Sequence, residues 1–234
     1  MTQKEAIFKR KSIRKFDMQP ISDNQMNDVM AEIKNLIPLF ENIEVSIHVT
    51  DKTKGMFNVK APHYLVFASE EKEGHLENIG FVGQQIDLFL TTIGLGACWL
   101  GGAKAVQAED SLLPYVICMA FGNPAEPLHR NISDFKRKNL TEISTGSDTR
   151  LEAARVAPSG VNAQNWLFEA VNGEIHCYRK KPNPLLGILL NKMSYIDVGI
   201  AICHIATVSE NFKFKKLDDA KEVKNCTYIG SVIN

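Results

Sequence analysis

Three stretches of the chain combine residue types and spacings that bear on ligand chemistry. The first is Lys9-Arg10-Lys11-Ser12-Ile13-Arg14-Lys15-Phe16. In extended backbone Arg10, Ser12 and Arg14 project to one side, because side chains alternate along a strand. Two guanidinium forks and a hydroxyl on one face suit a phosphate dianion or an electron-rich carbonyl edge. Alone, the segment also reads as a solvated basic N-terminus, or as a helix in which Ser12 turns away from both arginines. The second stretch is Gly94-Leu95-Gly96-Ala97-Cys98-Trp99-Leu100-Gly101-Gly102. Trp99 stands where a dinucleotide fingerprint needs its last glycine, and Gly102 stands where a phosphate-binding loop needs lysine. Gly101-Gly102 instead allows a planar ring to lie directly on backbone, with N–H groups free to hydrogen-bond it. The plainer alternative is a helix C-cap followed by an ordinary turn. The third is Ala157-Pro158-Ser159-Gly160-Val161-Asn162-Ala163-Gln164-Asn165-Trp166. Its Ser, Asn and Gln side chains present mixed donors and acceptors, as a uracil-like edge requires. It reads equally well in isolation as a polar loop leading into a core tryptophan.

The elements that must position these stretches are legible from capping and periodicity. Thr2 with Glu5, and Ser22 with Gln25, are capping-box pairs that open a short helix over 2–11 and a second one to about Leu36. Ile43–Thr50, Tyr64–Ala68 and the apolar run Leu113–Phe121 read as strands. From about Ile79 to Leu95, Val82, Ile86, Phe89, Leu90 and Ile93 recur at helical spacing. Residues 131–150 are polar and charged, as a linker would be, with a helix from about Asp148 to Val156 beyond them. Asn172-Gly173 between Trp166–Val171 and Glu174–Arg179 signals a hairpin, and Ile196–Val208 a buried helix. Setting Gly83 over Gly199 also superposes Val82 on Val198, Ile86 on Ile202 and Phe89 on Ile205, a weak internal repeat compatible with chance.

Bulk composition narrows the classes. Lys+Arg and Asp+Glu both number 27, so zero net charge gives no global reason to bind nucleic acid or an anionic membrane. No stretch approaches the roughly 20 apolar residues of a bilayer span, and the charged N-terminus lacks a secretory apolar core. Five scattered cysteines, never spaced CxxC, suit reduced thiols in a cytoplasmic protein. Neighbouring His and Cys at 176–177 and 203–204 point apart on regular backbone, so no metal site is expected.

Taken together, the three stretches resemble the FMN-dependent nitroreductase family. That family opens with R-R-S-x-R-x-F, matched at Arg10 to Phe16 with Lys11 departing. It carries A-P-S-x-x-N-x-Q-P-W, matched at Ala157 to Trp166 with Asn165 replacing proline, and G-L-G-T-C-W-I-G-G, matched at Gly94 to Gly102. Its late G-Y-P and basic K-R-K-P-L-E-E stretches resemble Gly122-Asn123-Pro124 and Lys136 to Glu142. The order departs from the family: here the A-P-S stretch follows G-L-G. Family members are dimers whose flavins lie between subunits, so the order implies two degenerate halves fused into a pseudo-dimer, a layout that a less common branch of the family shares. Residues 1–143 would be one half and 148–234 a trimmed second half, completing one flavin site.

The fold implied is α+β, a central, mostly antiparallel sheet flanked by helices. The resemblance further implies ping-pong hydride transfer from NADH or NADPH through FMN to a nitroaromatic, quinone or similar small-molecule acceptor. Arg10, Ser12, Arg137 and Lys138 would hold the phosphate. Lys11 or Arg14 would lie near the pyrimidine edge, and the backbone of Leu100, Gly101 and Gly102 would face the reactive N5 side. Pro158, Ser159, Gly160 and Asn162 would complete the site. No catalytic acid or base is named. A non-catalytic flavin reservoir or sensor, or another FMN reaction of the superfamily, is the alternative. A monomeric pseudo-dimer is expected, with a conventional dimer still compatible.

Overall fold

In the computed structural model, residues 1–55, 59–105, 112–182, 187–218 and 220–233 are described. They form two compact units: residues 1–75 with 82–134, and residues 76–81 with 135–234.

The first unit starts with α1 (Gln3–Ile7) and α2 (Asp23–Asn35), closed at their N-termini by the two expected capping boxes. Its main sheet contains β1 (Val45–Thr50), β3 (His63–Ser69), β6 (Tyr115–Gly122) and β4 (Gly96–Leu100), in that order and antiparallel throughout. A short ribbon pairs β2 (Thr53–Gly55) with β5 (Ala103–Ala105). Ile13, Phe16, Tyr64, Val66, Leu100 and Cys118 share one buried cluster. Helix α3 (His75–Thr92) contributes its residues from Val82 onward to this unit.

The second unit holds the first turns of α3, Leu76–Phe81, with α4 (Leu140–Ile143), α5 (Leu151–Arg155) and the long α6 (Gly187–Val208). Its sheet runs β10 (Lys213–Lys215), β11 (Cys226–Ile233), β9 (Glu174–Lys180), β8 (Trp166–Val171), β7 (Ser144–Thr145). Among the described residues only its β7–β8 pair is parallel. The β8–β9 hairpin turns on Asn172 and Gly173, with φ of 53° and 82°, the left-handed pair a tight hairpin needs. Trp166 and Phe168 of β8 and Tyr178 of β9 are buried.

The α+β class with mostly antiparallel strands is as expected. The strands, however, divide into two principal sheets where one central sheet was expected. Residues 131–150 are not a bare linker: they contain a 3-10 turn (Ile132–Asp134), α4 and β7. Residues 135–143, placed by the sequence with the first half, lie in the second unit. Among the described residues no helix is long and apolar enough to cross a membrane.

Candidate functional site

The sequence-derived candidates fall into two groups, one in each unit. In the first, Arg10 to Phe16 is extended, because isolated bridges join Arg10 to His129, Ser12 to Ala97 and Phe16 to Pro124. The Ser12–Ala97 bridge lays this segment alongside β4, the strand that ends at Leu100 and turns through Gly101 and Gly102. Gly96 permits the approach: a Cβ there would sit 2.6 Å from the Ile13 side chain. The expected alternation holds for Arg10 and Ser12, where Arg10 Nη2 donates to Ser12 Oγ at 3.3 Å.

Arg10 is only 1% exposed. Its Nε lies 2.9 Å from Asp87 Oδ2 on α3, an ion pair whose alignment falls short of a hydrogen bond. Burial pushes the Asp87 carboxyl above its usual range, and the Arg10 guanidinium works against that push. Arg10 Nη1 is buried with no hydrogen-bond partner among the described residues. A buried cationic donor in that state is costly, and an anion beside it would relieve the cost.

Lys11 and Arg14 are arranged differently. Lys11 Nζ donates to Glu126 Oε2 at 3.2 Å, and the exposed Arg14 donates its backbone N–H to Glu126 Oε1 at 2.8 Å. Arg14 and Arg10 nonetheless both act on the buried Cys98 thiol of β4, opposing the burial that raises it. An open cavity of about 600 Å³ lies beside Lys9, Lys11, His129, Arg130, Asn131 and Asp134. Arg130 Nε donates to the Arg10 carbonyl at 3.1 Å. Burial first, then the neighbouring Arg10 charge, lowers the Arg130 guanidinium to about 10. Two guanidinium groups are thus crowded together, with Asp87 beside Arg10 and Asp134 acting on Arg130.

The second group is a braced loop. Arg137 donates from Nε to the Ala157 carbonyl at 2.9 Å and from Nη1 to Asn162 Oδ1 at 2.6 Å. Lys138 Nζ donates to the Ala163 carbonyl at 2.9 Å, and its backbone N–H donates to Gln164 Oε1 at 2.7 Å. Gln164 N–H returns to Ser159 Oγ at 3.0 Å. Gly160 N–H donates to Asp197 Oδ1 of α6 at 2.9 Å. Arg137 and Lys138 thus hold the loop that carries Pro158, Ser159, Gly160 and Asn162.

That loop is strained. Val161, Asn162 and Gln164 have φ of 47°, 57° and 50°. Asparagine tolerates this region, but a β-branched valine does not. Val161 is 78% exposed, so little burial compensates it. Val161→Gly should therefore raise stability by about 0.5–1 kcal/mol, the relieved strain outweighing glycine's greater unfolded-state entropy. Urea denaturation checks this; a loss of stability would mean that the valine side chain itself is needed.

The sequence reading missed Asp87, Arg130 and Asp197. The signal for Asp87 and Asp197 was present: each is an acid set between apolar residues of its helix, Ile86 and Leu88 or Ile196 and Val198, which calls for a buried partner. Arg130 gave no local signal, since its partner Arg10 is 120 residues away in sequence. Among the described residues no group of three or more His, Cys, Asp or Glu is placed to hold a metal ion.

Comparison with known proteins follows the same lines. A "putative nitroreductase" from Thermotoga maritima superposes with a TM-score of 0.67 at 23% identity, covering 100% of this chain and 94% of that one. A nitroreductase family protein from Clostridium difficile 630 gives 0.48 at 15% identity, over 61% of this chain and 96% of that one. An FMN-dependent nitroreductase from Clostridium difficile R20291 gives 0.42 at 17%, over 57% and 96%. No curated protein matches the chain. The likeness to the Thermotoga structure shows a shared fold, and a family match extends over residues 2–209. With most of its length matched, the chain belongs to the nitroreductase family described as "Putative TM nitroreductase".

Proposed function

We propose that the chain is an FMN-dependent oxidoreductase that takes electrons from NADH or NADPH and gives them to a small, electron-poor acceptor such as a nitroaromatic or quinone. The observation that carries this reading is Arg10: a buried guanidinium, fixed by Asp87, with Nη1 lacking a partner among the described residues and Nη2 already on Ser12. That donor set fits a phosphate dianion. When bound, FMN would supply the chemistry, accepting hydride from the nicotinamide and passing it to the acceptor in a ping-pong sequence.

The protein's part is to bind and orient. Arg10 and Ser12 would hold the phosphate. Lys11 and Arg14 would supply positive charge along the pyrimidine edge. The backbone N–H groups from Leu100 to Gly102 would hydrogen-bond the reactive edge of the ring. Pro158, Ser159, Gly160 and Asn162, braced by Arg137 and Lys138, would present amide and hydroxyl groups to it. No side-chain acid or base is required.

One flavin per chain is the expected stoichiometry, because each motif set occurs once, in complementary halves. The weak internal repeat that sets Gly83 over Gly199 supports a fused pair. A monomer in the cytoplasm follows from the same reading.

The test is an absorption spectrum of the FMN-reconstituted protein before and after anaerobic NADH or NADPH. A flavin spectrum that bleaches, and recovers on adding a nitroaromatic or quinone, is the expected result. Bound flavin that neither nicotinamide reduces would overturn the oxidoreductase reading, and absence of bound flavin would overturn the cofactor. Two flavins per chain would overturn the fused single site.

A further inference from the structure

Asp197 lies 4% exposed near the middle of α6, among apolar neighbours. Its Oδ1 accepts the Gly160 N–H at 2.9 Å, and the group borders a closed cavity of about 30 Å³ between Gly160, Val161, Asn165, Leu190 and Met193. That hydrogen bond joins it to the loop in which Val161, Asn162 and Gln164 are all left-handed. A loop with several unfavourable backbone conformations persists only where its surroundings over-determine it.

Charged groups on the packed elements are engaged elsewhere. Arg179 of β9 donates to Asn191 Oδ1 and Ser194 Oγ. On α5, Arg155 pairs with Glu152. His204 Nδ1 lies 2.8 Å from the Ala153 carbonyl oxygen, and Glu77, in the first turn of α3, is a second buried carboxylate. Among the described residues the loop meets Asp197 through the Gly160 N–H.

We propose that Asp197 is a positioning residue for the 159–164 loop: protonated, it holds the left-handed turn that presents Ser159 and Asn162 to a ligand, and on ionisation it lets the turn open. The reason is desolvation. A carboxylate with one backbone donor and no cation is poorly accommodated in an apolar setting, whereas the neutral acid keeps the same acceptor oxygen for Gly160. Burial accordingly raises the carboxyl to about 7, with the Gly160 N–H opposing. The closed loop therefore retains a proton that a hydrated Asp197 releases near 3.8. Between these values closure weakens as pH rises, and once the closed-state group ionises the full penalty is present. In relation to flavin the inference rests on the function proposed above.

The experiment is amide hydrogen exchange at Ala163 and Gln164 in the flavin-free protein between pH 5 and 8, beside FMN titrations at the same pH values. In the wild type, protection corrected for intrinsic exchange should fall by up to about tenfold per pH unit below neutrality and level off above it. Asp197→Asn, which keeps the acceptor but cannot ionise, should hold high protection across the range. Asp197→Ala should lose protection at every pH, and Glu77→Gln should keep the wild-type profile. A flat wild-type profile, or an Asp197→Asn profile that titrates like the wild type, would overturn the latch. FMN affinity should fall with loop protection in the wild type and stay level in Asp197→Asn; affinity that ignores the loop would sever the link to the ligand. If no variant binds FMN, the flavin reading fails while the exchange profiles still decide the latch.

Discussion

Arg10→Ala should destabilise the protein by about 3–5 kcal/mol, because it leaves Asp87 buried without its counter-ion. The side chains of Arg10 and Asp87 are 1% and 2% exposed and meet at 2.9 Å. Removing either partner strands the other away from water, and Asp87 is already pushed toward its neutral form by burial. The same guanidinium is the proposed phosphate ligand, so the single variant confounds two losses. The double variant Arg10→Met with Asp87→Leu separates them. It removes both charges at similar volume, and buried ion pairs replaced in this way commonly return to within about 1–2 kcal/mol of the parent or exceed it. Stability should therefore recover in the double variant. FMN binding should not, remaining weaker by about 1.5–3 kcal/mol for the lost charge-assisted contact. Urea denaturation and flavin-fluorescence titration read the two quantities. A double variant as unstable as Arg10→Ala would show that the ion pair is not what Arg10 contributes. A stable double variant with unchanged FMN affinity would make Arg10 purely structural.

The parts of this arrangement that were legible in the sequence are those decided by neighbours in the chain. Thr2 with Glu5 and Ser22 with Gln25 cap helices within one turn, and Asn172-Gly173 makes its hairpin from its own backbone preferences. Elements decided by distant partners were hidden. α1 stops at Ile7 because the chain is drawn into bridges at Arg10 and Ser12, so the expected helix over 2–11 is cut short. α6 starts at Gly187, well before Ile196, although Asn191, Lys192 and Ser194 interrupt the apolar run. Asn191 and Ser194 are there to receive Arg179 from β9. β10 and β11 pair only across the sheet and were not foreseen. The site divides the same way. The residue types at Arg10, Ser12, Gly101, Gly102 and in the Ser159 loop suggested a ligand, but the carboxyl groups that hold Arg10 and Gly160, those of Asp87 and Asp197, come from helices that local reading treats as core. Val161 gives no warning of its conformation, since valine is among the residues least expected there.

Glycine on α6 leads to the second large effect. Gly199→Ala should destabilise the protein by about 2–4 kcal/mol, although alanine in a helix interior ordinarily gains about 1 kcal/mol over glycine. An added Cβ at Gly199 would lie 2.0 Å from the Glu77 carbonyl oxygen, and one at Gly80 would lie 2.1 Å from that of Ile196. Both obstacles are backbone, so no rotamer change relieves them; the first turn of α3 and the body of α6 must separate. That separation also loosens the contacts packed around the crossing, where Ile79 and Ile200 are buried. Gly80→Ala should therefore behave like Gly199→Ala. The two together should cost clearly less than their sum, because helices already moved apart for one methyl group admit the second cheaply. Thermal or urea unfolding of the two single variants and the double measures this coupling. Stabilisation by either alanine would mean that the helices do not approach this closely. Strict additivity would mean that the two clashes are relieved by independent local shifts, with no common separation of α3 from α6.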